Sequence, residues 1–294
     1  MKYINFLLAF LIISVIVGCQ TNVKETDENQ SQNNSDWRSR EIVYKIPEME
    51  SIIIKEDIGY KKHGDSSLML DLYLPAKTDK QKLPAVVLVP GFHTKRIDLT
   101  NTGQYTSWSK LIAGSGLIAV TYETVEPTLD INDLINFLRD KSDSLNIDKD
   151  QINLWSCSGN VPTALTYILN NKFDYLKCGV LYYGLMFSEG FEHLPYWDSV
   201  ALSMDFMSPR VNWNYEINSK TPLLVVRAGL ENTPFLNQAI DEFLLKANEN
   251  NLPVTFINYP EGQHGFDIYD DNDKSREIIK YTITYFKNHI ENKK

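Results

Sequence analysis

Cysteine is scarce in this sequence: three occur among 294 residues, at positions 19, 157 and 178. Their spacing matches no metal-ligand pattern, so the sequence indicates no metal centre. In the topology predicted below, Cys157 and Cys178 fall on neighbouring elements. We expect both thiols to be free and partly buried.

Blocks of positive charge are also lacking. The chain has 29 lysine and arginine residues against 38 aspartate and glutamate residues, for a formal charge of −9. No cluster of basic residues stands out, which argues against a nucleic-acid partner. No internal repeat is present. The length and the hydrophobic content of 43% suit a single soluble domain of ordinary size.

The apolar run at 6–17 is short for a membrane span, but it lies where a secretory signal would. It ends in the sequence IVGC at 16–19, which resembles the lipobox of bacterial lipoproteins. The resemblance implies cleavage of the signal peptide 1–18 and a lipid on Cys19, which would anchor the protein to a membrane, facing the periplasm or the cell exterior. An uncleaved N-terminal anchor helix is the alternative interpretation.

A polar stretch follows this segment. Residues 20–40 are rich in Asn, Gln, Ser, Thr, Asp and Glu and offer little that could form a core. We therefore expect a disordered tether at 19–40 and a folded domain at 41–294.

Strand and helix patterns alternate along that domain. Strands are predicted at 51–60, 68–74, 83–89, 117–122, 152–155, 179–183, 222–227 and 254–259. Helices are predicted at 108–115, 130–145, 162–169, 235–248 and 275–290, with Asp130 as a candidate N-cap. The alternation predicts an α/β fold with a mostly parallel central sheet of about eight strands and helices on both faces.

One long stretch, 184–220, interrupts the alternation. It carries seven aromatic residues. Such an insertion between strands is a candidate lid or substrate wall, and simple packing of an irregular excursion is the alternative.

The chain is organised around 151–169, which combines a short apolar strand, a turn of small residues and a helix opened by Pro162. A nucleophile on such a turn is held in a strained backbone conformation with its side chain exposed. The strand and the helix crowd the positions two before and two after the nucleophile, so both should be small.

Three registers of this turn can be compared. With Ser158 as nucleophile, the crowded positions hold Ser156 and Asn160, which is tolerable. Cys157 as nucleophile would place a tryptophan there, and Ser156 would place a leucine. Ser158 is therefore the candidate nucleophile.

The turn resembles the G-x-S-x-G elbow of the α/β-hydrolase superfamily, with serine and asparagine in place of the two glycines. The segments PGFHT, SCSGN, RAGLENTP and NYPEGQHGFD follow successive predicted strands in one consistent order, and LDLYLP precedes them. Together they resemble the dienelactone-hydrolase-like branch of esterases, which implies an α/β-hydrolase fold. In dienelactone hydrolase itself the nucleophile is a cysteine. The aligned residue here is Ser158, which favours ordinary ester hydrolysis.

In that superfamily the chain order is nucleophile, acid, histidine, with the last two on loops after late strands. The resemblance therefore implies His264 as the general base. It implies Glu231, where relatives usually carry aspartate, as the acid that orients the base. Asp267 is the rival for the acid, although its position near His264 is more consistent with holding the loop.

The resemblance also implies two donors for an oxyanion hole, the backbone N–H groups of Gly159 and Phe92. Gly159 follows the nucleophile, and Phe92 lies in the loop after the strand 83–89. His93 is close enough to this position to touch a substrate, or it is an ordinary loop histidine.

These residues and the resemblance predict a serine hydrolase that cleaves small-molecule carboxylic esters through an acyl-enzyme, with no metal or organic cofactor. Peptidase or thioesterase chemistry on the same fold stays open, because these reactions share the elbow and the triad. A non-catalytic surface binding lipoprotein is a further hypothesis, which the altered elbow motivates.

Overall fold

The computed structural model describes residues 37–77, 82–90, 99–170, 172–186, 217, 219–233 and 235–290. The predicted signal peptide 1–18, the predicted lipidation site Cys19, residues 20–36 of the expected tether, the oxyanion candidate Phe92 and nearly all of the insertion 184–220 lie outside the described residues. From Arg38 onward the chain forms one compact unit. No helix within the described ranges is long and apolar enough to cross a membrane.

Eight strands form one sheet. They are β1 (Ile53–His63), β2 (Ser66–Leu74), β3 (Leu83–Leu88), β4 (Ile118–Tyr122), β5 (Ile147–Cys157), β6 (Leu176–Tyr182), β7 (Leu223–Ala228) and β8 (Val254–Tyr259). Their order across the sheet is β1-β2-β4-β3-β5-β6-β7-β8. The β1–β2 and β2–β4 pairs are antiparallel, and every pair from β4 to β8 is parallel.

Helices cover both faces of the sheet. They are α1 (Gly103–Gly114), α2 (Pro127–Asp140), α3 (Ser142–Leu145), α4 (Val161–Leu169), α5 (Leu236–Glu249), α6 (Phe266–Tyr269) and α7 (Asp273–His289). Successive strand residues point to opposite faces. Leu154 accordingly belongs to the core beneath α2, α4 and α5, whereas Trp155 packs against Trp108 of α1 and Tyr182 on the other face.

The expectation of eight strands in a mostly parallel sheet is confirmed, but the expected helix 130–145 is wrong in its bounds. Helix α2 begins at Pro127, whose fixed φ and missing N–H suit the first helical turn, and it ends at Asp140. Asp130 therefore lies inside the helix rather than at its N-cap. Its buried carboxylate accepts hydrogen bonds from the backbone N–H groups of Val125 and Glu126.

The parallel strands bring their carboxyl ends to one edge of the sheet. Ser158 directly follows β5, Tyr183 directly follows β6, and Glu231 and His264 lie on the loops after β7 and β8. Because these four strands are neighbours in the sheet, residues far apart in sequence meet at this edge.

Candidate active site

The backbone at Ser158 turns sharply. Cys157 ends β5 in an extended conformation, with φ −140° and ψ 155°. Ser158 then has φ +54°, in the left-handed region that non-glycine residues seldom occupy. A single 3-10 turn, Ser158–Asn160, continues directly into α4. Strain of this kind, costing on the order of 1–3 kcal/mol, is concentrated at functional sites.

The positions that flank this turn are tightly packed. Ser156 is fully buried and its hydroxyl donates to Val89 O at 3.1 Å, and Asn160 is also buried. The Cys157 thiol points inward and donates to Oε1 of Gln104 at 3.7 Å. Burial, with a contribution from the charge of a nearby buried carboxylate, raises the pKa of this thiol well above its usual range. Cys157 and Cys178 are both free and buried.

The Ser158 hydroxyl contacts the imidazole of His264. Ser158 Oγ lies 2.8 Å from His264 Nε2. On the other side of the ring, Nδ1 hydrogen-bonds to Oε2 of Glu231. An ionised carboxylate can only accept, so Nδ1 carries the proton and Nε2 presents its lone pair to the serine hydroxyl.

Glu231 is held in place by a second hydrogen bond. Its Oε1 accepts from the backbone N–H of Thr233 at 2.7 Å, and its side chain is 1% exposed. Burial alone would raise the pKa of this carboxyl, but the hydrogen bonds from His264 and Thr233 outweigh it and lower the pKa below its ordinary value of 4.5. The side chain is therefore a carboxylate at neutral pH.

Two backbone hydrogen bonds join the loop that carries Glu231 to the loop that carries His264. The N–H of Gly229 donates to Tyr259 O at 2.7 Å, and the N–H of Leu230 donates to Gly262 O at 2.8 Å. These bonds extend the pairing of β7 and β8 beyond the strands, so the acid and the histidine are positioned by sheet geometry.

Asp267, the rival for the acid, lies in the protein interior. Its side chain is fully buried and accepts hydrogen bonds from Tyr183 Oη at 2.6 Å, Trp108 Nε1 at 2.8 Å and Gln104 Nε2 at 2.9 Å. Burial raises the pKa of Asp267, and these three donors oppose that effect. The geometry brings Ser158, His264 and Glu231 into one chain of hydrogen bonds, and in that chain Nδ1 of His264 contacts Glu231.

Solved structures share this architecture. An inhibited form of esterase B from Lactobacillus rhamnosis matches with a TM-score of 0.65 at 16% identity, over 90% of this chain and 93% of that chain. Esterase 2 from Thermogutta terrifontis, phosphonylated by sarin, matches with a TM-score of 0.62 at 17% identity, over 81% of this chain and 96% of that chain. At these identities the likeness shows the fold. The chain has the α/β-hydrolase fold. No protein-family model matches the chain, and no curated protein does.

Of the two oxyanion donors expected for an α/β-hydrolase fold, the structure describes one. Gly159 lies in the 3-10 turn after Ser158, at the start of α4, where backbone N–H groups and the helix dipole favour negative charge. Phe92, and its neighbour His93, stay predictions because they lie outside the described residues. Within the described ranges, no group of three or more His, Cys, Asp or Glu side chains could hold a metal ion.

Three residues near this candidate site were missed by sequence reasoning. Thr233 and Gln104 lay outside the predicted strands and helices, where no periodic pattern distinguished them. Gln104 in fact lies in α1, which begins at Gly103 rather than at the expected position 108. Tyr183 did carry a signal, because it ended the predicted strand that follows the strand of the candidate nucleophile. A polar aromatic residue at that edge of a parallel sheet is a candidate for contact with the site.

Proposed function

We propose that this protein is a serine hydrolase that cleaves carboxylic esters. The observation that carries the proposal is the continuous hydrogen-bonded chain from Ser158 through His264 to Glu231, with the serine on a left-handed turn at the sheet edge. A serine hydroxyl is a weak nucleophile at neutral pH, and it needs a base within hydrogen-bond reach and an acid to orient that base.

The reaction follows from the positions of these atoms. Ser158 Oγ attacks the ester carbonyl carbon while its proton moves to Nε2 of His264. The tetrahedral intermediate collapses, the C–O bond to the alcohol breaks, and the alcohol leaves with the proton from Nε2. Water then attacks the acyl-enzyme carbonyl and gives a proton to Nε2. The bond from the acyl carbon to Ser158 Oγ breaks, Oγ takes the proton back from Nε2, and the carboxylic acid leaves.

The carboxylate of Glu231 remains ionised throughout this cycle. It holds the imidazole in the tautomer that accepts from serine and stabilises the imidazolium that forms in each half-reaction. We propose that the backbone N–H groups of Gly159 and Phe92 hold the oxyanion. A donor of this kind contributes roughly 10²–10³-fold to the rate.

Structural neighbours indicate which acyl groups to test first. Esterase B was inhibited by a C4-C4 SN3 tributyrin phosphonate, and Thermogutta terrifontis esterase 2 was solved with propionate and with butyrate bound. We therefore propose short-chain acyl esters as the substrate class. The segments PGFHT and NYPEGQHGFD further support a place in the dienelactone-hydrolase-like branch. Comparing hydrolysis of a lactone with that of a butyrate ester tests this placement.

Fluorophosphonate labelling tests the assignment directly. The probe should react with the wild-type protein and not with Ser158→Ala, and hydrolysis of a chromogenic butyrate ester should fall to background in the same variant. Ser144→Ala removes an exposed serine hydroxyl from α3 and is the matched control. It should label like the wild type.

Two outcomes would overturn the proposal, and a third would change the substrate class. Labelling that survives in Ser158→Ala would place the reactive group elsewhere. A wild-type protein that is folded and never labelled would favour the non-catalytic binding lipoprotein. Hydrolysis of a peptide or thioester at a higher rate than any oxygen ester would keep the nucleophile but change the substrate class.

We also propose that the mature chain is a lipoprotein anchored through Cys19, with the catalytic domain in the periplasm or on the cell surface. The support is the sequence IVGC at the end of an apolar run, followed by a polar tether. Metabolic labelling with a fatty acid should modify the wild type and not Cys19→Ala, and the variant should leave the membrane fraction. Equal labelling of both proteins would contradict the anchor.

A further inference from the structure

The aromatic ring of Tyr183 packs against the catalytic imidazole. Its centroid lies 4.7 Å from that of the His264 ring, with the two planes inclined by 58°. Aromatic pairs in contact have centroids about 4.5–7 Å apart, so this is a close packing contact. Tyr183 is 2% exposed, whereas the His264 side chain is 36% exposed. The buried ring thus forms a wall against which the more exposed ring rests.

The backbone of Tyr183 is in an unfavourable conformation for a residue with a bulky side chain. Its φ is +32°, and its N–H donates to Val226 O at 2.6 Å, which continues the pairing of β6 with β7 by one residue. A tyrosine in this region of φ costs on the order of 1–3 kcal/mol, which the surrounding structure must sustain. The strain sits where the chain leaves β6, and it directs the side chain at the imidazole.

The phenol of Tyr183 is fixed by two hydrogen bonds of opposite sense. It donates to Oδ1 of Asp267 at 2.6 Å and accepts from Nε2 of Gln104 at 2.8 Å. Gln104 also donates to Oδ2 of Asp267, and its Oε1 accepts from the Cys157 thiol, so the direction of its amide is defined. The phenol group therefore cannot move without breaking a buried hydrogen bond.

Asp267 links this network back to the histidine through the main chain. It lies three residues after His264, in α6, and its carbonyl oxygen accepts from the N–H of Val43 at 2.8 Å. Asp267 is thus linked to His264 in two ways. One link is the main chain between the two residues, and the other is the side chain of Tyr183, whose phenol contacts Asp267 and whose ring contacts the imidazole. From this geometry we propose that Tyr183, held by Asp267 and Gln104, is a positioning residue that fixes the orientation of His264 for proton transfer.

This inference rests on the proposed function of Ser158, His264 and Glu231, and it adds a distinct claim. Glu231 and Ser158 hold the imidazole only within the plane of its ring, by hydrogen bonds at opposite nitrogens. The Tyr183 ring restrains motion out of that plane. A misplacement of about 1 Å at a reacting group can cost roughly 10²-fold in rate, so the restraint has measurable value.

Two variants separate the contribution of the Tyr183 ring from that of its phenol hydrogen bonds. Tyr183→Leu removes the aromatic wall, and Tyr183→Phe keeps the wall but removes the phenol. With the fluorophosphonate probe, we expect the maximal rate of inactivation to fall about 100-fold in Tyr183→Leu and about 10-fold in Tyr183→Phe, with the concentration for half-maximal rate unchanged. Loss confined to the maximal rate is the signature of orientation rather than binding.

Tyr182→Phe is the matched control. In the wild type, the phenol of Tyr182 is also buried and hydrogen-bonds to Thr282 Oγ1 at 2.7 Å. The Tyr182 ring packs against Trp108, Trp155 and Phe266. The variant removes a comparable buried hydrogen bond one residue away, so a general loss of stability would appear equally in it. We expect its rate of inactivation to stay within about twofold of the wild type.

Proton NMR provides a second readout that needs no substrate. The proton between Nδ1 of His264 and Glu231 should give a low-field resonance that is absent from His264→Gln. It should be retained in Tyr182→Phe, broadened in Tyr183→Phe and lost in Tyr183→Leu while the protein stays folded. If Tyr183→Leu does not fold, the comparison of Tyr183→Phe with Tyr182→Phe is sufficient to test the positioning role.

The two proposals fail in different ways. Absence of labelling in the wild type, with the low-field resonance present and sensitive to Tyr183, would overturn the esterase function and leave the positioning role standing. Wild-type rates and an unchanged resonance in Tyr183→Phe, or equal losses in Tyr183→Phe and Tyr182→Phe, would overturn the positioning role.

Discussion

Gly229 packs directly against the backbone of Pro260. A Cβ atom at position 229 would lie 2.2 Å from Pro260 O and 2.5 Å from Pro260 Cα, distances that no real side chain tolerates. The loop that carries Glu231 and the loop that carries His264 can therefore approach each other only because residue 229 has no side chain. This contact sets the spacing between the proposed acid and base.

Gly229→Ala should lower activity more than it lowers stability. The new methyl group must push the two loops apart, and displacement of Glu231 from His264 should reduce the rate of fluorophosphonate labelling about 10–100-fold. Gly59→Ala is the control, because a Cβ there would make an ordinary contact at 3.5 Å with Ser67 Cβ. Equal labelling rates in Gly229→Ala and Gly59→Ala would show that the loop spacing does not matter.

Glu231→Gln should nearly abolish catalysis while the fold persists. A glutamine of the same shape can present its amide N–H to Nδ1, which favours the wrong tautomer of His264, and we expect a loss of about 10³–10⁴-fold in kcat for a butyrate ester. Glu261→Gln changes an exposed glutamate in the His264 loop and should have no such effect. A loss of less than tenfold in Glu231→Gln would remove Glu231 from the proposed triad.

Asp130→Asn should destabilise the protein in a pH-dependent way. The buried Asp130 carboxylate accepts from Lys61 Nζ, from Thr124 and from two backbone N–H groups, and these bonds lower its pKa from the ordinary value of 3.8, against the opposing effect of burial. The stabilisation is present above that ordinary value and is lost as pH falls through the lower pKa of the folded state.

At neutral pH we expect Asp130→Asn to cost about 1.5–3 kcal/mol in the free energy of unfolding, measured with urea. The difference from the wild type should shrink as pH falls below 3.8 and through the lower pKa of the folded state. Asp133→Asn is the control, since Asp133 contacts the same Lys61 but its side chain is 49% exposed. It should cost less than about 1 kcal/mol. A difference for Asp130→Asn that is constant with pH would contradict the assignment.

Cys157 should be inert in the folded protein although it adjoins the proposed nucleophile, Ser158. The residue is 2% exposed and burial raises the pKa of its thiol, so little thiolate is present or reachable at neutral pH. Peptide mapping after iodoacetamide treatment should find Cys157 modified only after denaturation. Rapid modification of the native protein, with parallel loss of phosphonate labelling, would instead point to a reactive thiol.

Much of the fold follows from local sequence. Short apolar runs bounded by polar residues indicated buried parallel strands such as β3 and β7, because such strands need continuous apolar character, whereas strict alternation indicated β2. The small residues around Ser158 were informative for a steric reason, since the left-handed turn leaves no room for the tryptophan or leucine that other registers would require.

The remainder depends on packing that no local pattern encodes. The hydrogen bonds of Asp267 to Gln104 and to Tyr183 connect residues 163 and 84 positions apart. The start of α2 at Pro127 was also missed, because Asp130 resembled an N-cap. Its buried carboxylate in fact forms an ion pair with the partly exposed Lys61. Phe92 and Cys19 stay predictions.

The site joins distant parts of the chain, and this has a consequence for biosynthesis. Ser158 meets a histidine 106 residues later, and Glu231 meets the same histidine 33 residues later. These contacts exist only once β5, β6, β7 and β8 have paired in order, and contacts between residues so far apart in sequence form slowly. A nascent or partly folded chain therefore carries an inert serine hydroxyl. During refolding, reactivity towards the fluorophosphonate probe should appear after most of the secondary structure has formed, and it should report when the sheet is complete.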